Sequence, residues 1–379
     1  MPPPAIAWIV IGAAVVLALL SLGGDRERAA YVSRRLALRL DDALCPPATV
    51  IVPVKGHEDH LAANLASLAA LDYPDYELIV VARAPSDIPP GVTPPRARTC
   101  IAGLGDPGTG EKINNLLAAV DAARPGSAMF AFADSDNVVS PGWLRALAAP
   151  LAESGVGLST GYRWHAPAGG LWPLLRSVWN SVVAGGFSPG PNRFAWGGAM
   201  ALTRETFLRT NVPQYWRGAI SDDFQISRAV HDAGLSIAWA PGATVADRSS
   251  TNAGAFLAWI ERQMIITRVY HPRLWVLGLG SHVIYCAAMA CAAVWAPILL
   301  IAQLALGMVK GANRAVIAKA CLPGEAAFFT RWGWTYTWLV PLGTWIWLFS
   351  LRAAARTNVI SWRGIRYRLA GRGRAVTRL

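Results

Sequence analysis

Charged residues are scarce in this sequence. Asp, Glu, Lys and Arg make up 15% of its 379 residues, whereas 54% are hydrophobic, and 17 are Trp. Such a composition excludes an ordinary soluble globular protein, and the length allows one sizeable domain together with membrane segments. The few charges are also unbalanced, because the formal net charge is +12.

Paired cysteines are absent as well. The five cysteines, an odd number, include no Cys-x-x-Cys pair and stand at positions 45, 100, 286, 291 and 321. Neither a zinc site nor a disulfide framework is therefore predicted. A reducing, cytosolic environment for the polar part of the chain is the simpler interpretation.

Acidic residues are missing from the C-terminal end. From Leu351 onward the chain has no Asp or Glu but eight Arg, at positions 352, 356, 363, 366, 368, 372, 374 and 378. A basic segment beside an apolar one favours an anionic membrane surface as its partner. No nucleic-acid-binding motif accompanies these charges, so no nucleic-acid partner is predicted.

Basic residues are missing before the first apolar run, residues 5–22, and several Arg follow it. A cleavable signal peptide carries a basic residue before such a run. We therefore predict an uncleaved transmembrane anchor, residues 1–24, with its start outside and the following residues in the cytoplasm. A bacterial inner membrane is the expected location.

Two further apolar segments, residues 275–309 and 326–350, predict a C-terminal transmembrane region, residues 273–351, followed by a basic cytosolic tail, residues 352–379. The first segment would be about 50 Å long as a helix, too long for one straight crossing. Either this segment is one crossing plus an interfacial helix, or one of the two segments is a hairpin.

Residues 25–272 are predicted to form a cytosolic α/β domain. Strand-like residues 48–54 precede a helical pattern through Leu61, Leu65, Leu68 and Leu71, and residues 77–82 form the next strand. Strand, helix and strand within roughly thirty residues predict a parallel βαβ unit. Residues 84–110 are rich in Pro and Gly and are predicted to form a loop over a ligand.

The apolar residues 128–133 lead directly into Asp134-Ser135-Asp136. A short apolar run predicts a strand buried on both faces, and ligands of open α/β sheets lie beyond the carboxyl ends of such strands. Alternate carboxylates there can share a divalent cation with substrate phosphates. Helix capping or a solvated turn is the alternative for any single Asp-x-Asp.

Two predicted helix starts carry further charges. Gly110-Glu-Lys112 begins one helix, where Lys112 could neutralise phosphate, and Ser221-Asp222-Asp223 begins another. Ordinary helix capping explains both patterns equally well. The small residues of Trp196-Gly-Gly-Ala-Met-Ala-Leu202 permit a close approach of the backbone to a ligand.

Five stretches, in family order, resemble membrane-bound family 2/21 type glycosyltransferases, and within them the ceramide glucosyltransferase-like branch. They are Leu71-Asp-Tyr-Pro-Asp-Tyr-Glu-Leu78, Lys112-Ile-Asn-Asn-Leu116, Asp134-Ser-Asp136, Ser221-Asp-Asp223-Phe224 and Ile360-Ser-Trp-Arg-Gly-Ile-Arg-Tyr-Arg-Leu369. The resemblance covers most of the chain. It implies a GT-A type fold, a Rossmann-like mixed sheet flanked by N-terminal and C-terminal transmembrane helices.

The resemblance also implies roles for single residues. Asp87 matches the first family aspartate, which helps to hold the nucleotide, and Asp223 matches the third, the general base. Asp134 matches the second and would bind ribose and, with Asp136, a Mg²⁺ or Mn²⁺ ion on the diphosphate. Lys112 matches a family lysine near the phosphates. Asp222, beside the base, is assigned to the nucleotide-sugar site.

The chain departs from the family in two places. Ile265-Ile266 stands where the family has Arg-Trp, and Ser188-Pro189 stands where some members have His-Pro. Arg262, Gln263 and Arg268 are the candidates for the missing phosphate or acceptor contact, and a position on the helix surface is the alternative for each. The acceptor side of the site is therefore expected to differ.

The implied activity is transfer of a hexose from a UDP-sugar to a hydroxyl of a membrane lipid such as ceramide, diacylglycerol or a hopanoid. A single displacement would give a β-glycolipid from an α-linked donor. Two alternatives stay open. One is a processive polysaccharide synthase, and the other is a catalytically inert, membrane-anchored protein that binds a nucleotide sugar or a lipid.

Overall fold

Residues 4–191, 194–371 and 375–379 are described by the computed structural model, in which the chain divides into two units. The helical unit comprises Met1–Val32, His165–Ser188 and Ser250–Asn358. The sheet unit comprises Ser33–Trp164, Pro189–Ser249 and Val359–Leu379.

The strands, in chain order, are β1 (Ala48–Pro53), β2 (Tyr76–Ala82), β3 (Ala97–Ile101), β4 (Met129–Ala133), β5 (Val156–Thr160), β6 (Arg163–His165), β7 (Ala199–Thr203), β8 (Ser236–Trp239), β9 (Val245–Asp247), β10 (Val359–Trp362), β11 (Ile365–Arg368) and β12 (Thr377–Arg378). The α-helices are α1 (Ala5–Ala37), α2 (Leu61–Ala69), α3 (Glu111–Asp121), α4 (Trp143–Ala148), α5 (Leu171–Ala184), α6 (Arg204–Arg209), α7 (Val212–Trp216), α8 (Asp222–Asp232), α9 (Ala253–Tyr270), α10 (Pro272–Trp295), α11 (Pro297–Cys321), α12 (Ala326–Trp332) and α13 (Trp334–Ala354).

The main sheet of the sheet unit is mixed. Its strand order is β3-β2-β1-β4-β7-β5-β8, with β3, β2, β1 and β4 parallel and β7 antiparallel to both of its neighbours. The mixed α/β sheet expected from the sequence is confirmed. Because β2, β1 and β4 run in the same direction, the segments that follow them leave from the same edge of the sheet.

Apolar sequence explains the centre of this sheet. All five residues of β4 are buried, and the helix α2 packs Leu61, Leu65 and Leu68 into the core beside it. A strand with such an apolar run is buried on both faces and cannot carry a charge in its interior. The first charge therefore comes at Asp134, one residue after β4 ends.

The expectation of an irregular loop over residues 84–110 was wrong in part. Strand β3 lies within it and pairs with β2 from Ala97 to Ile101. This is an edge strand whose residues are exposed or half-buried, and it includes Arg98 and Thr99. An edge strand with a polar surface lacks the apolar run by which buried strands are predicted.

A helix follows Ser140-Pro141 in the chain. Helix α4 starts at Trp143, and a short 3-10 helix, Ala149–Ala152, continues it. The amide of Trp143 donates to the carbonyl of Ser140 at 3.0 Å, so Ser140 still closes the first turn. The helix predicted to begin at Ser221 is present as α8.

Three described helices of the chain, α1, α10 and α11, are long and apolar enough to cross a membrane. The apolar stretch 275–309 is divided at Ala296, where α10 ends and Pro297 opens α11. One crossing plus an interfacial helix and a hairpin both place two helices in this stretch, so the number of crossings stays a prediction. Ile11 and Ala14 of α1 pack against Ala288 and Ala292 of α10.

The described part of the C-terminal basic segment is folded, whereas Arg372 and Arg374 lie outside the described residues. Helix α13 extends to Ala354, and β10, β11 and β12 then form an antiparallel sheet that belongs to the sheet unit. Arg363 and Gly364 connect β10 to β11 with φ angles of 50° and 77°. Two consecutive positive φ values in a two-residue loop are typical of a type I′ hairpin turn.

Candidate active site

The site is built around Lys112, near the start of α3. Its ammonium Nζ lies 2.8 Å from Oδ1 of Asp134 and 3.1 Å from Oδ2 of Asp222. Asp134 follows β4, and Asp222 is the first residue of α8. The amide of Gly110 donates to the carbonyl of Ala219 at 2.8 Å, which ties the start of α3 to the segment before α8.

One ammonium serving two carboxylates has unequal effects on them. Burial disfavours the charged form of Asp134, but Lys112 outweighs it and the pKa of Asp134 falls below its usual range. Burial raises the pKa of Asp222 to about 6, although Lys112 opposes the rise. Burial alone would lower the pKa of Lys112, yet Asp134 and Asp222 raise it, so the ammonium stays charged.

Asp136 lies beside this group in a different environment. Its carboxylate accepts from Nδ2 of Asn137 at 2.7 Å and lies 3.4 Å from the guanidinium of Arg163. Burial raises the pKa of Asp136 to about 7, although Arg163 acts in the opposite direction. The neighbouring carboxylates of Asp134 and Asp247 add to the rise. Negative charge at Asp136 is therefore costly with the protein groups alone.

Two glycines bring the backbone close to these carboxylates. A Cβ atom at Gly197 would lie 2.4 Å from Oδ2 of Asp222, and one at Gly198 would lie 2.6 Å from Oδ2 of Asp134. Both distances are shorter than van der Waals contact. The segment before β7, noted in the sequence for its small residues, thus approaches the acidic cluster itself.

Asp223, the second residue of α8, is half-buried. Its Oδ1 accepts from the Ser221 hydroxyl at 2.5 Å and from the amide of Phe224 at 2.8 Å. Ser221 is the N-cap of α8, because its own oxygen accepts from the amide of Phe224 at 3.3 Å. No hydrogen bond to Oδ2 of Asp223 is formed by the described residues, so one carboxylate oxygen can serve a substrate proton.

Asp87 lies at the end of a 3-10 turn, Pro85–Asp87, that follows β2. Its carboxylate accepts from the amide of Ala84 at 3.2 Å, and its carbonyl accepts from the amide of Gly56 at 2.7 Å. Asp87 therefore joins the segments that leave β1 and β2. It lies at the same edge of the sheet as Asp134, because β1, β2 and β4 are parallel.

Sequence reasoning missed Glu58, Arg163 and Arg363. The carboxylate of Glu58 accepts from the Ser135 hydroxyl at 2.9 Å and pairs with Arg363 at the tip of the β10–β11 hairpin. Burial raises the pKa of Glu58 despite this pairing. Ser135 stands between the two acidic residues after β4, so the C-terminal hairpin reaches this cluster through Glu58.

Further basic residues follow the neighbouring strands. Lys55 comes after β1, and its ammonium lies 2.7 Å from Oε1 of Glu111. Arg83 comes directly after β2, and its guanidinium lies 3.5 Å from Oε2 of the same carboxylate. Glu111 precedes Lys112 in α3, so these cations belong to the same edge of the sheet as the acidic cluster.

Arg262, Gln263 and Arg268 lie on α9 in the helical unit, and their link to the site stays a prediction. Arg268 donates to the carbonyls of Ala354 at 2.9 Å and of Thr357 at 2.8 Å. It therefore satisfies carbonyls at the end of α13, as expected of a helix-capping cation. Ile265, where the family has Arg, is 2% exposed and packs as an apolar residue.

A divalent cation fits the donor set of Asp134 and Asp136. Among the residues that the structure describes, no three His, Cys, Asp or Glu side chains are grouped to hold a metal ion by themselves. A Mg²⁺ or Mn²⁺ ion shared with substrate phosphates needs only one or two protein carboxylates. The raised pKa of Asp136 marks an oxygen donor at which added positive charge would be favourable.

The sequence matches the family model of glycosyl transferase family 21 over residues 6–375. Among solved structures, the chain is similar to the mannosyltransferase PcManGT from Pyrobaculum calidifontis in complex with GDP-Man and Mn²⁺. The two sequences are 18% identical, the match covers 91% of this chain and 97% of that chain, and the TM-score is 0.46. A mycobacterial protein of known structure has 19% sequence identity to this chain. The match covers 64% of this chain and 78% of that chain, with a TM-score of 0.40. A comparison with curated protein sequences finds no match.

Proposed function

The chain belongs to glycosyl transferase family 21, and from that premise we propose that it is an inverting hexosyltransferase acting on a membrane lipid. It would move a hexose from a UDP-sugar to a lipid hydroxyl of a ceramide, diacylglycerol or hopanoid type and release a β-glycolipid. The observation that carries this proposal is the cluster in which Lys112 joins Asp134 to Asp222 beside Asp136 and Asp223.

Departure of the nucleoside diphosphate is the first chemical demand. Negative charge develops on the leaving phosphates, and fixed positive charge near them lowers the barrier. Lys112 provides an ammonium that its two carboxylates keep protonated and in place. A Mg²⁺ or Mn²⁺ ion held by Asp134 and Asp136 would supply further positive charge at the phosphates. We assign Asp87 and Asp222 to holding the nucleotide sugar.

Activation of the acceptor is the second demand. A lipid hydroxyl is a weak nucleophile until a base within hydrogen-bond reach takes its proton during attack. We assign this role to Asp223, because the Ser221 hydroxyl and the Phe224 amide fix one of its oxygens and orient the other. Attack from the face opposite the diphosphate inverts the anomeric centre.

A lipid acceptor is supported by the three helices that are apolar and long enough to cross a membrane. A cytoplasmic domain anchored at a bilayer meets amphiphilic acceptors at a high effective concentration. We place the protein in a bacterial inner membrane with its catalytic domain in the cytoplasm.

The test is UDP release by the purified chain in detergent or lipid, measured over a panel of UDP-sugars with a mixed lipid extract. We expect one donor to be turned over, release to be stimulated by lipid, and a chelator to abolish it until Mg²⁺ or Mn²⁺ is restored. An α-linked product from an α-linked donor would contradict inversion.

The same assay separates the two alternatives. A polymeric product without a lipid would indicate a processive polysaccharide synthase. Donor binding without release from any donor would indicate an inert binder, for which the apolar packing of Ile265 and the use of Arg268 at α13 provide the specific support.

Replacing Gly197 by Ala is expected to lower turnover about 10- to 100-fold, the usual cost of disturbing a residue that orients a site. The new Cβ would lie 2.4 Å from Oδ2 of Asp222 and push that carboxylate away from Lys112. Gly142→Ala is the matched control, because nothing lies within 4 Å of a Cβ at that exposed glycine. Equal turnover in both variants would show that the contact of Gly197 with Asp222 does not matter.

A further inference from the structure

Polar side chains of the membrane-type helices α1 and α11 meet within the helical unit. Asp25 and Arg28 of α1 form an ion pair of 2.7 Å, and Nδ2 of Asn313 on α11 lies 3.4 Å from the second oxygen of Asp25. Arg28 also donates to the carbonyls of Phe187, at 2.8 Å, and Gly185. These contacts give both carboxylate oxygens of Asp25 and all three guanidinium nitrogens of Arg28 a partner.

The neighbouring cations of α11 are not ion-paired by the described residues in this way. Within the described residues, Lys310 and Arg314 form no salt bridge, although both interact electrostatically with Asp25 and Arg28. Two positive charges therefore remain next to one carboxylate that is already paired. Uncompensated cations among apolar helices are costly and are retained where they bind something.

Two buried donors lie in the same place. The hydroxyl of Tyr285 on α10 and Nη1 of Arg314 are both buried and have no hydrogen-bond partner among the residues that the structure describes. Tyr285 and Arg314 interact electrostatically, and Nζ of Lys310 lies 5.5 Å from the centre of the Tyr285 ring. A buried donor without an acceptor costs stability, so two of them beside a free ammonium indicate an acceptor shared by all three.

Asp25 and Arg314 lie far from the first residues of their helices. Asp25 is twenty residues from the start of α1, a rise of about 30 Å, which equals the thickness of the hydrocarbon core. Arg314 is seventeen residues from the start of α11, a rise of about 26 Å. In helices that cross a bilayer from the opposite face, Asp25 and Arg314 would come near the boundary where its phosphates are found, and Lys310 would lie about 6 Å deeper than Arg314.

We propose that Tyr285, Lys310 and Arg314 form a binding site for the phosphate of an anionic membrane phospholipid. A phosphate diester offers only acceptor oxygens and one negative charge, so it satisfies the two orphan donors and compensates part of the excess positive charge. Basic sites between membrane helices at the cytoplasmic side bind anionic headgroups in this way. The site is separate from the residues assigned to sugar transfer and does not depend on that assignment.

The test measures lipid binding by the purified full-length chain in detergent. Native mass spectrometry would compare phosphatidylglycerol with phosphatidylcholine of the same acyl chains, for the parent protein and for Arg314→Gln and Tyr285→Phe. Lys319→Gln is the matched control, since Lys319 is an exposed cation on the same helix. A parallel arm would measure thermal stability with inorganic phosphate alone.

We expect the parent and Lys319→Gln to bind phosphatidylglycerol about tenfold more tightly than phosphatidylcholine, and Arg314→Gln to lose this preference. Tyr285→Phe keeps the ring and removes one donor, so about threefold weaker binding is expected even if Arg314→Gln does not fold. An unchanged preference in the folded variants overturns the proposal. Equal stabilisation by inorganic phosphate and by phosphatidylglycerol assigns the site to a free anion and also overturns it.

Discussion

Replacing Asp134 by Asn is expected to lower the turnover of the UDP-sugar by about a thousandfold, equivalent to roughly 4 kcal/mol of barrier. The substitution removes the carboxylate that holds Lys112 at 2.8 Å and one of the two oxygen donors proposed for the cation. The measurement is UDP release at saturating donor, with a Mn²⁺ titration. We expect the half-maximal Mn²⁺ concentration to rise as well.

Folding should survive this change, because Lys112 keeps Asp222 as a partner at 3.1 Å. Asp121→Asn is the control, since it makes the same substitution at an exposed position at the end of α3. Thermal unfolding of both variants should stay close to that of the parent. Parental turnover and metal dependence in a folded Asp134→Asn protein would remove Asp134 from the site.

The position of the acidic cluster follows from local sequence. A run of apolar residues predicts β4 because a strand buried on both faces tolerates no charge, and the end of that run marks the end of the strand. The confirmed mixed sheet then places the residues after β1, β2 and β4 at one edge. The resemblance to family 21 is confirmed by the family match over residues 6–375.

The pairing of Lys112 with Asp222 could not be predicted in the same way. Helix-start signals are local, and they predicted the beginnings of α3 and α8 correctly. They carry no information on the distance between Lys112 and Asp222, which are 110 positions apart in the sequence. The capping interpretation of Ser221 also holds, because its hydroxyl oxygen accepts from Phe224. The cap uses the hydroxyl of Ser221, whereas the contact with Lys112 uses the carboxylate of Asp222. The start of α8 can therefore be both a capped helix start and part of the site.

Charge patterns alone do not show the partner of a single C-terminal arginine. A run of Arg without acids predicts an attraction to an anionic surface, which is a property of net charge and stays a prediction here. The pairing of Arg363 with Glu58, 305 positions earlier, depends on the hairpin turn that carries Arg363. Only the dipeptide Arg363-Gly364 signalled this turn, and it is a weak signal beside the usual Asn-Gly.

Replacing Asp223 by Asn is expected to lower turnover about 10²- to 10⁴-fold while the dissociation constant of the donor changes little. Asn has the same shape and still accepts hydrogen bonds from Ser221 and Phe224, but its amide does not take a proton from the acceptor hydroxyl. The decrease should therefore be seen in the rate at saturating donor and lipid concentrations. Donor binding should be measured separately, without acceptor, by titration calorimetry.

Asp232→Asn is the control for this change, because it removes a carboxylate from the opposite end of the same helix, where Asp232 lies 3.3 Å from Arg228. Loss of a negative charge at the start of α8 costs only about 0.3–1 kcal/mol of stability, so both variants should fold. A loss of donor binding equal to the loss of turnover would make Asp223 a donor contact. Unchanged turnover would move the base to another residue, and Asp222, whose pKa of about 6 is raised by burial, would be the next to test.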